Sequence, residues 1–248
     1  MTSADLTILA PAFAAGLLVL ATHVPLGREV LKKGIIFIDL AIAQLAGLGV
    51  IAAHHFGFEA HGWQVQIAAI SAALGGALLL TWTEKVLPDI QEALIGSLFV
   101  LAASSGILLL AGNPHGGEHL QDLLAGQILW VEWHTLLQVA ALYALVLFLW
   151  FRLRPARLGF YALFALTVTA SVQLVGIYLV FASLILPALA CRQRPHPLRD
   201  AYLLGSLGYA AGLLLSTWFD LPSGALIVVI LASLAGVMMA RFAGRVSG

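Results

Sequence analysis

The sequence predicts an all-α integral membrane protein, a polytopic helical bundle of about eight membrane segments with a broken or re-entrant helix pair at 159–190. Three observations carry that prediction. Of 248 residues, 61% are apolar and only 10% charged, where soluble domains carry roughly a quarter, and the mean hydropathy is +1.00. Apolar runs close to the ~20 residues that cross a bilayer recur along the whole chain, separated by short polar links. The basic residues gather in five places, all at the ends of such runs. With 12 basic and 12 acidic residues the chain has no surplus charge for a nucleic acid, so its solvent partner is the lipid bilayer. No fixed-period repeat, linker or low-complexity segment divides it, and 1–248 is read as a single polytopic domain.

The first run, 6–24, has no basic region ahead of it and is preceded by Asp5. It is read as a retained span and not as a cleaved signal, despite Ala12-Phe13-Ala14. The runs 35–53, 64–82, 94–111 and 134–151 are helices, since segments such as 140–151 are apolar on every face where a membrane barrel would alternate. Residues 123–133 are apolar with Trp130 and Trp133 at the aromatic-belt position, so an interfacial segment leads into the fifth span. Residues 159–190 are an uninterrupted apolar stretch of 32 residues, ~48 Å long as one helix. That is too long for one crossing and too short for two full ones. Val175-Gly176 near the middle and Pro187 near the end divide it into two shortened segments. Runs at 201–218 and 224–240 complete the bundle.

The cations decide the topology. Arg28, Lys32 and Lys33 follow the first span, Lys85 lies in the third link, Arg152, Arg154 and Arg157 precede the long stretch, Arg192, Arg194 and Arg199 follow it, and Arg241 and Arg245 end the chain. If 159–190 enters and returns, all 12 face one compartment; if it crosses once, they split seven against five. The returning arrangement obeys the cytoplasmic bias of Lys and Arg in bacterial inner-membrane proteins. It puts the amino terminus and links 54–63, 112–122 and 219–223 outside and the carboxyl terminus in the cytoplasm.

Five of the eight histidines fall in two of those outer links, His54, His55 and His61 beside Glu59, and His115 and His119 beside Glu118. Imidazole with carboxylate suits zinc or a related divalent ion, so this set is a candidate capture site at the outer mouth; its other reading is a solvated polar loop. His115-Gly-Gly-Glu118-His119 also matches the H-x-x-E-H pattern of zinc hydrolases, which needs a helix, and Pro114 with Gly116 and Gly117 disfavours one. Within the spans, Asp39 is the one carboxylate well inside an apolar run, either as a group on a cation path or as a first-turn residue favoured by the helix dipole and wetted at the interface. Gln44 lies deeper, and Gln173 just ahead of the Val175-Gly176 break is its natural counterpart. Both amides suit either interhelical hydrogen bonding or a wet path. Since Asp39 and Gln44 are five residues apart, about 140° around a helix, a split of roles is expected, with Gln44 lining the route and Asp39 attracting a cation at the cytoplasmic end or capping its helix. The single Cys191 cannot form an internal disulfide. No ATP-binding or dinucleotide signature occurs, so the chain is not read as an enzyme and any energy source beyond an ion gradient belongs to another chain.

Several stretches taken together resemble the permease family of bacterial ABC importers for zinc, manganese and iron. Pro25-Leu-Gly27 followed by Lys32-Lys33, Ile95-Gly96-Ser-Leu-Phe99, Leu124-Ala-Gly126-Gln127-Ile-Leu129, Val175-Gly176-Ile-Tyr-Leu-Val180 through Leu184-Ile-Leu-Pro187-Ala188-Leu-Ala190-Cys-Arg192, and Asp220-Leu-Pro222-Ser-Gly224 follow the family's order across nearly the whole chain. The resemblance implies a multi-pass permease of the bacterial inner (plasma) membrane. It further implies a homodimer, a separate cytoplasmic ATPase subunit that binds ATP, and an external metal-binding lipoprotein or periplasmic binding protein. No cofactor is implied for this chain; the divalent metal is its cargo. Two departures stand out. Counted ungapped from Pro25, the family's Gly, Asp and His of the second span fall on Asp39, Leu40 and Gln44, and the link 152–158 is shorter than the family's, with Ala156-Arg-Leu-Gly159 in the place of its ATPase-docking element, so that coupling is either altered or rests on 83–93 and 191–200. Two other functions stay open: a degenerate relative that binds metal without transporting it, and an intramembrane metallohydrolase built on His115, Glu118 and His119.

Overall fold

The structure, a computed structural model, describes residues 3–58, 62–110, 113, 116–153 and 157–246. No strand occurs among them, and eight helices are long and apolar enough to cross a membrane. The chain forms two compact units, one from 1–33, 125–143 and 174–248, the other from 34–124 and 144–173.

In the first unit, α1 (Ser3–Lys33) runs on past the predicted span, through Pro11 and Pro25, to its basic last turn. Pro25-Leu-Gly27 therefore lies inside a helix and not in a link, a correction with a physical cause. Membrane helices tolerate proline where neighbours re-satisfy the freed carbonyl, and Lys32 and Lys33 complement the helix dipole at the C-terminus. Gly34, at φ +71°, supplies the left-handed stop. The unit's other long helices are α9 (Pro197–Phe219) and α10 (Ser223–Val246). α9 packs antiparallel to α1: the Tyr209 ring lies on Gly16, Leu20 on Gly205, and the Tyr202 hydroxyl donates to the Ala21 carbonyl at 3.1 Å. α9 and α10 form a hairpin in which Gly212 meets Ile227 and Gly208 meets Leu231. Asp220 turns it in the left-handed region, φ 52°, with the Ser216 hydroxyl donating to the Leu221 carbonyl at 2.6 Å.

The long apolar stretch breaks where the sequence predicts. α7 (Arg157–Val175) and α8 (Ile177–Cys191) are separated by Gly176 alone, at φ +80°. A side chain there would strike the backbone of Ala125 and Gly126, itself at φ +70°, so two glycines cross backbone against backbone. From this crossing α8 runs parallel to α1 and α10. Gly27 lies against the Leu184 carbonyl, Ser183 hydrogen-bonds Tyr209 at 2.8 Å, and Cys191 donates to the Met238 sulfur at 3.5 Å. Pro187 sits inside α8, which ends four residues later.

The second unit holds α2 (Ile38–His55), α3 (Trp63–Val86), α4 (Gln91–Leu110) and most of α7. α2 and α3 are antiparallel, with Gly49 on the Ala68–Ala69 backbone and Leu45 on Gly76. α4 runs parallel to α2: Glu92 accepts from the Phe37 amide at 3.1 Å at one end, and Ile51 meets Gly106 towards the other. α7 is tied at its start, where Gln91 reaches Tyr161 at 3.5 Å, and at its end, where Gln66 donates to Gln173 at 2.7 Å. It therefore traverses this unit antiparallel to α3.

α5 (Gly116–Ala125) is a helix that the sequence reading disfavours. Glycine propensity costs ~1 kcal/mol per residue, but here the glycines occupy only its first turn, and Leu123 inserts against Gly47 of α2. Packing of that apolar face outweighs the local preference. α5 leads through the Gly126 turn and a 3₁₀ turn at Ile128–Trp130 into α6 (Trp133–Leu153), with Trp130 and Trp133 both exposed.

Candidate functional site

Asp39 is the second residue of α2, preceded by Phe37 at the cap position, which offers the helix no side-chain acceptor. The carboxylate is 0% exposed, and neither oxygen has a hydrogen-bond partner. This removes the reading of Asp39 as a wetted first-turn cap, since such a group keeps an oxygen on water or on a backbone amide.

Neighbours assign the faces of α2. Ile42, Leu45 and Gly49 point to α3, while Phe37 and Leu40 border a groove with Ala93, Gly96 and Ser97 of α4, and Ile51 meets Gly106. At 100° per residue, Gln44 lies 40° from Leu40 and 20° from Ile51, in the α4 sector. Asp39 lies 40° from Ala43 and 20° from Ala46, both buried, in a sector that points to neither α3 nor α4. The deeper amide thus faces an interhelical seam of its own unit, and the carboxylate shares its face with two methyl side chains.

Gln173 is exposed and spends its amide oxygen on Gln66, so the expected counterpart of Gln44 is paired with a residue the sequence reading did not single out. Two amides, Gln64 and Gln66, in the first turn of the apolar run 64–82 were the available signal.

His54 and His55 end α2 and so are not in a link; His55 is exposed, edge-on to the Phe56 ring with centroids 5.8 Å apart. Glu118 is exposed on α5, which also carries His119. Glu59, His61 and His115 lie outside the described residues. Among the described residues no three His, Cys, Asp or Glu side chains come together in a way that could hold a metal ion.

The first unit buries a histidine that the sequence reading passed over. His23, 0% exposed in the middle of α1, has Nδ1 at 3.0 Å from the Val19 carbonyl, which requires the proton on Nδ1. Its Nε2 is left as a buried nitrogen with no partner. The same unit buries Tyr143, Tyr209 and Ser183, so its interior carries several polar groups beyond the backbone.

Comparison with known proteins agrees with this architecture. A membrane protein of Synechocystis, slr2045, itself uncharacterized, is 28% identical over 256 residues, covering 93% of this chain and 89% of that protein. The manganese transport system membrane protein MntC of Halalkalibacterium halodurans is 27% identical over 235 residues, 84% of this chain and 78% of its own length. The solved structure of PsaBC from Streptococcus pneumoniae in complex with Fab has the same fold, with a TM-score of 0.71 over 93% of this chain and 89% of that one, at 20% identity. The model of the ABC 3 transport family matches residues 5–155 and 151–241. Matched over nearly its whole length, this polytopic membrane protein belongs to the ABC 3 transport family.

Proposed function

We propose that the chain is the membrane-spanning permease of an importer that carries a divalent transition metal, zinc, manganese or iron, into a bacterial cell across the inner membrane. A separate cytoplasmic subunit hydrolyses ATP, an external lipoprotein or periplasmic protein delivers the ion, and two copies of the chain form the permease. Family membership and a manganese-transport relative support this reading. The observation that carries it is Asp39. A fully buried carboxylate with both oxygens unpartnered costs several kcal/mol, and such a group inside a span is a ligand in waiting. On α2 the route follows the face of Asp39, Ala43 and Ala46, and Gln44 serves helix packing. Oxygen donors of this kind favour the harder divalent ions.

The proposed topology keeps the amino terminus outside and the carboxyl terminus in the cytoplasm. Its support is the sorting of charge within each unit. In the first, α1, α8 and α10 are parallel and α9 is antiparallel, so Arg28, Lys32, Lys33, Arg192, Arg194, Arg199 and Arg241 gather at one end. In the second, Lys85 ends α3 and Arg157 begins α7, the end at which Gln91 meets Tyr161. Metal accumulation in cells co-expressing the ATPase tests the function. Accumulation that is lost in Asp39→Asn at an unchanged membrane level supports import through this face. A wild-type chain that binds metal but accumulates none is the non-transporting relative.

A further inference from the structure

The α9–α10 hairpin encloses, at its basic end, a pocket of about 330 Å³ that the transport reading does not use. Arg194 just ahead of α9, Asp200 in the first turn of α9 and Arg241 near the end of α10 line it, and deeper along the same helices so do Leu203, Leu207 and Val237. The charges do not cancel. Asp200 is shared, its Oδ2 accepting from Arg194 at 2.9 Å and its Oδ1 from Arg199 at 3.3 Å, while Arg241 has no ion-pair partner among the described residues. Two guanidiniums thus line the pocket against one carboxylate, which Arg199 also neutralises from outside the lining. The three apolar side chains are each more than half exposed and belong to helices that enter the bilayer.

We infer that this pocket binds an anionic phospholipid of the inner leaflet, its phosphate between Arg241 and Arg194 and an acyl chain along Leu203, Leu207 and Val237. The cation pair supplies charge-assisted hydrogen bonds to the phosphate. The apolar wall explains why a lipid and not a soluble anion is the occupant, because free phosphate would leave those side chains uncovered. Basic pockets between membrane helices at the cytoplasmic side hold acidic headgroups for this reason. The leaflet rests on the proposed topology; the site itself does not.

The test is native mass spectrometry of the full-length chain released from nanodiscs of equal phosphatidylglycerol and phosphatidylcholine. The wild type is expected to retain phosphatidylglycerol in preference, and excess inorganic phosphate to leave it bound. Arg241→Gln, at an exposed position where folding is not at risk, should lower that retention about fivefold, the worth of one basic residue at an anionic headgroup. Leu207→Asn should lower it as well, through the acyl chain. Lys32→Gln removes an exposed charge from the same end outside the pocket and should change nothing. Equal retention in Arg241→Gln and wild type overturns the site. So does an equal loss in Lys32→Gln, which would mean general surface charge, or displacement by phosphate, which would mean an anion site without a lipid.

Discussion

Replacing Asp39 by asparagine separates what the carboxylate costs from what it does. A carboxylate buried without a partner is unfavourable by several kcal/mol, and a buried amide left without a partner by ~1–3 kcal/mol. The side chains are nearly isosteric and Asp39 has no hydrogen bond to lose, so Asp39→Asn should stabilise the protein by about 1 kcal/mol. For a chain of this size that is a rise of roughly 2–4 °C in Tm, read by thermal unfolding in detergent. Transport should move the other way. With the only carboxylate on its α2 face gone, metal accumulation should fall at least about tenfold, the scale of losing a supporting contact at a metal site, and further if the group is a ligand itself. Gln44→Leu should retain most of the accumulation, because its side chain points into the α4 sector. This pairing reverses the roles that spacing alone assigns to the two residues. An Asp39→Asn variant that transports normally, beside a Gln44→Leu variant that is dead at equal membrane level, would refute the face assignment.

Three further outcomes are expected. Gly176→Ala must take a left-handed φ and overlap the Ala125–Gly126 backbone, so it should lose more than the ~1–2 kcal/mol of the dihedral alone, seen as a lower yield of folded protein in detergent and a lower Tm. With Cys191 buried, single cysteines introduced at Gly57 and Gly117 should react with an impermeant thiol reagent on intact cells and one at Gln193 should not; reaction at Gln193 sinks the topology in which α7 and α8 enter and return. Alanine in place of His54, His55, His61, His115 and His119 should weaken zinc binding in calorimetry, and unchanged affinity would leave these residues without a metal role.

Much of the architecture was legible because membrane helices announce themselves by length and composition. The break at Gly176 was legible for a further reason: a glycine in the middle of 32 apolar residues is where the chain can take the left-handed φ that a sharp turn needs. Two local expectations failed on the same ground. Pro25-Leu-Gly27 and Pro114 to Gly117 both carry residues that end helices in water. Yet α1 passes through the first, and α5 begins at Gly116. In each case packing against a distant segment holds the helix, the Leu184 backbone against Gly27 of α1 and Leu123 of α5 against Gly47 of α2, and that packing is long-range information no window of sequence contains.

The orientation of Asp39 was illegible for a deeper reason. A soluble helix betrays its buried face by hydrophobic periodicity, but α2 is apolar almost all the way round, so its sequence does not distinguish a face towards lipid, another helix or a conducting path. Counting residues from Asp39 to Gln44 yields the angle between them and nothing about which of the two is turned inward. Only the glycines break the symmetry, since each marks where a neighbour comes close: Gly49 locates α3, Gly47 locates α5 through Leu123, and Gly106, through Ile51, locates α4. Asp39 lies 80° or more from each of the residues Gly49, Gly47 and Ile51 that mark these directions, buried yet turned to none of the three helices. A carboxylate kept there without a partner forfeits stability that a leucine would supply, and the forfeited stability is itself the argument for a cation that passes by.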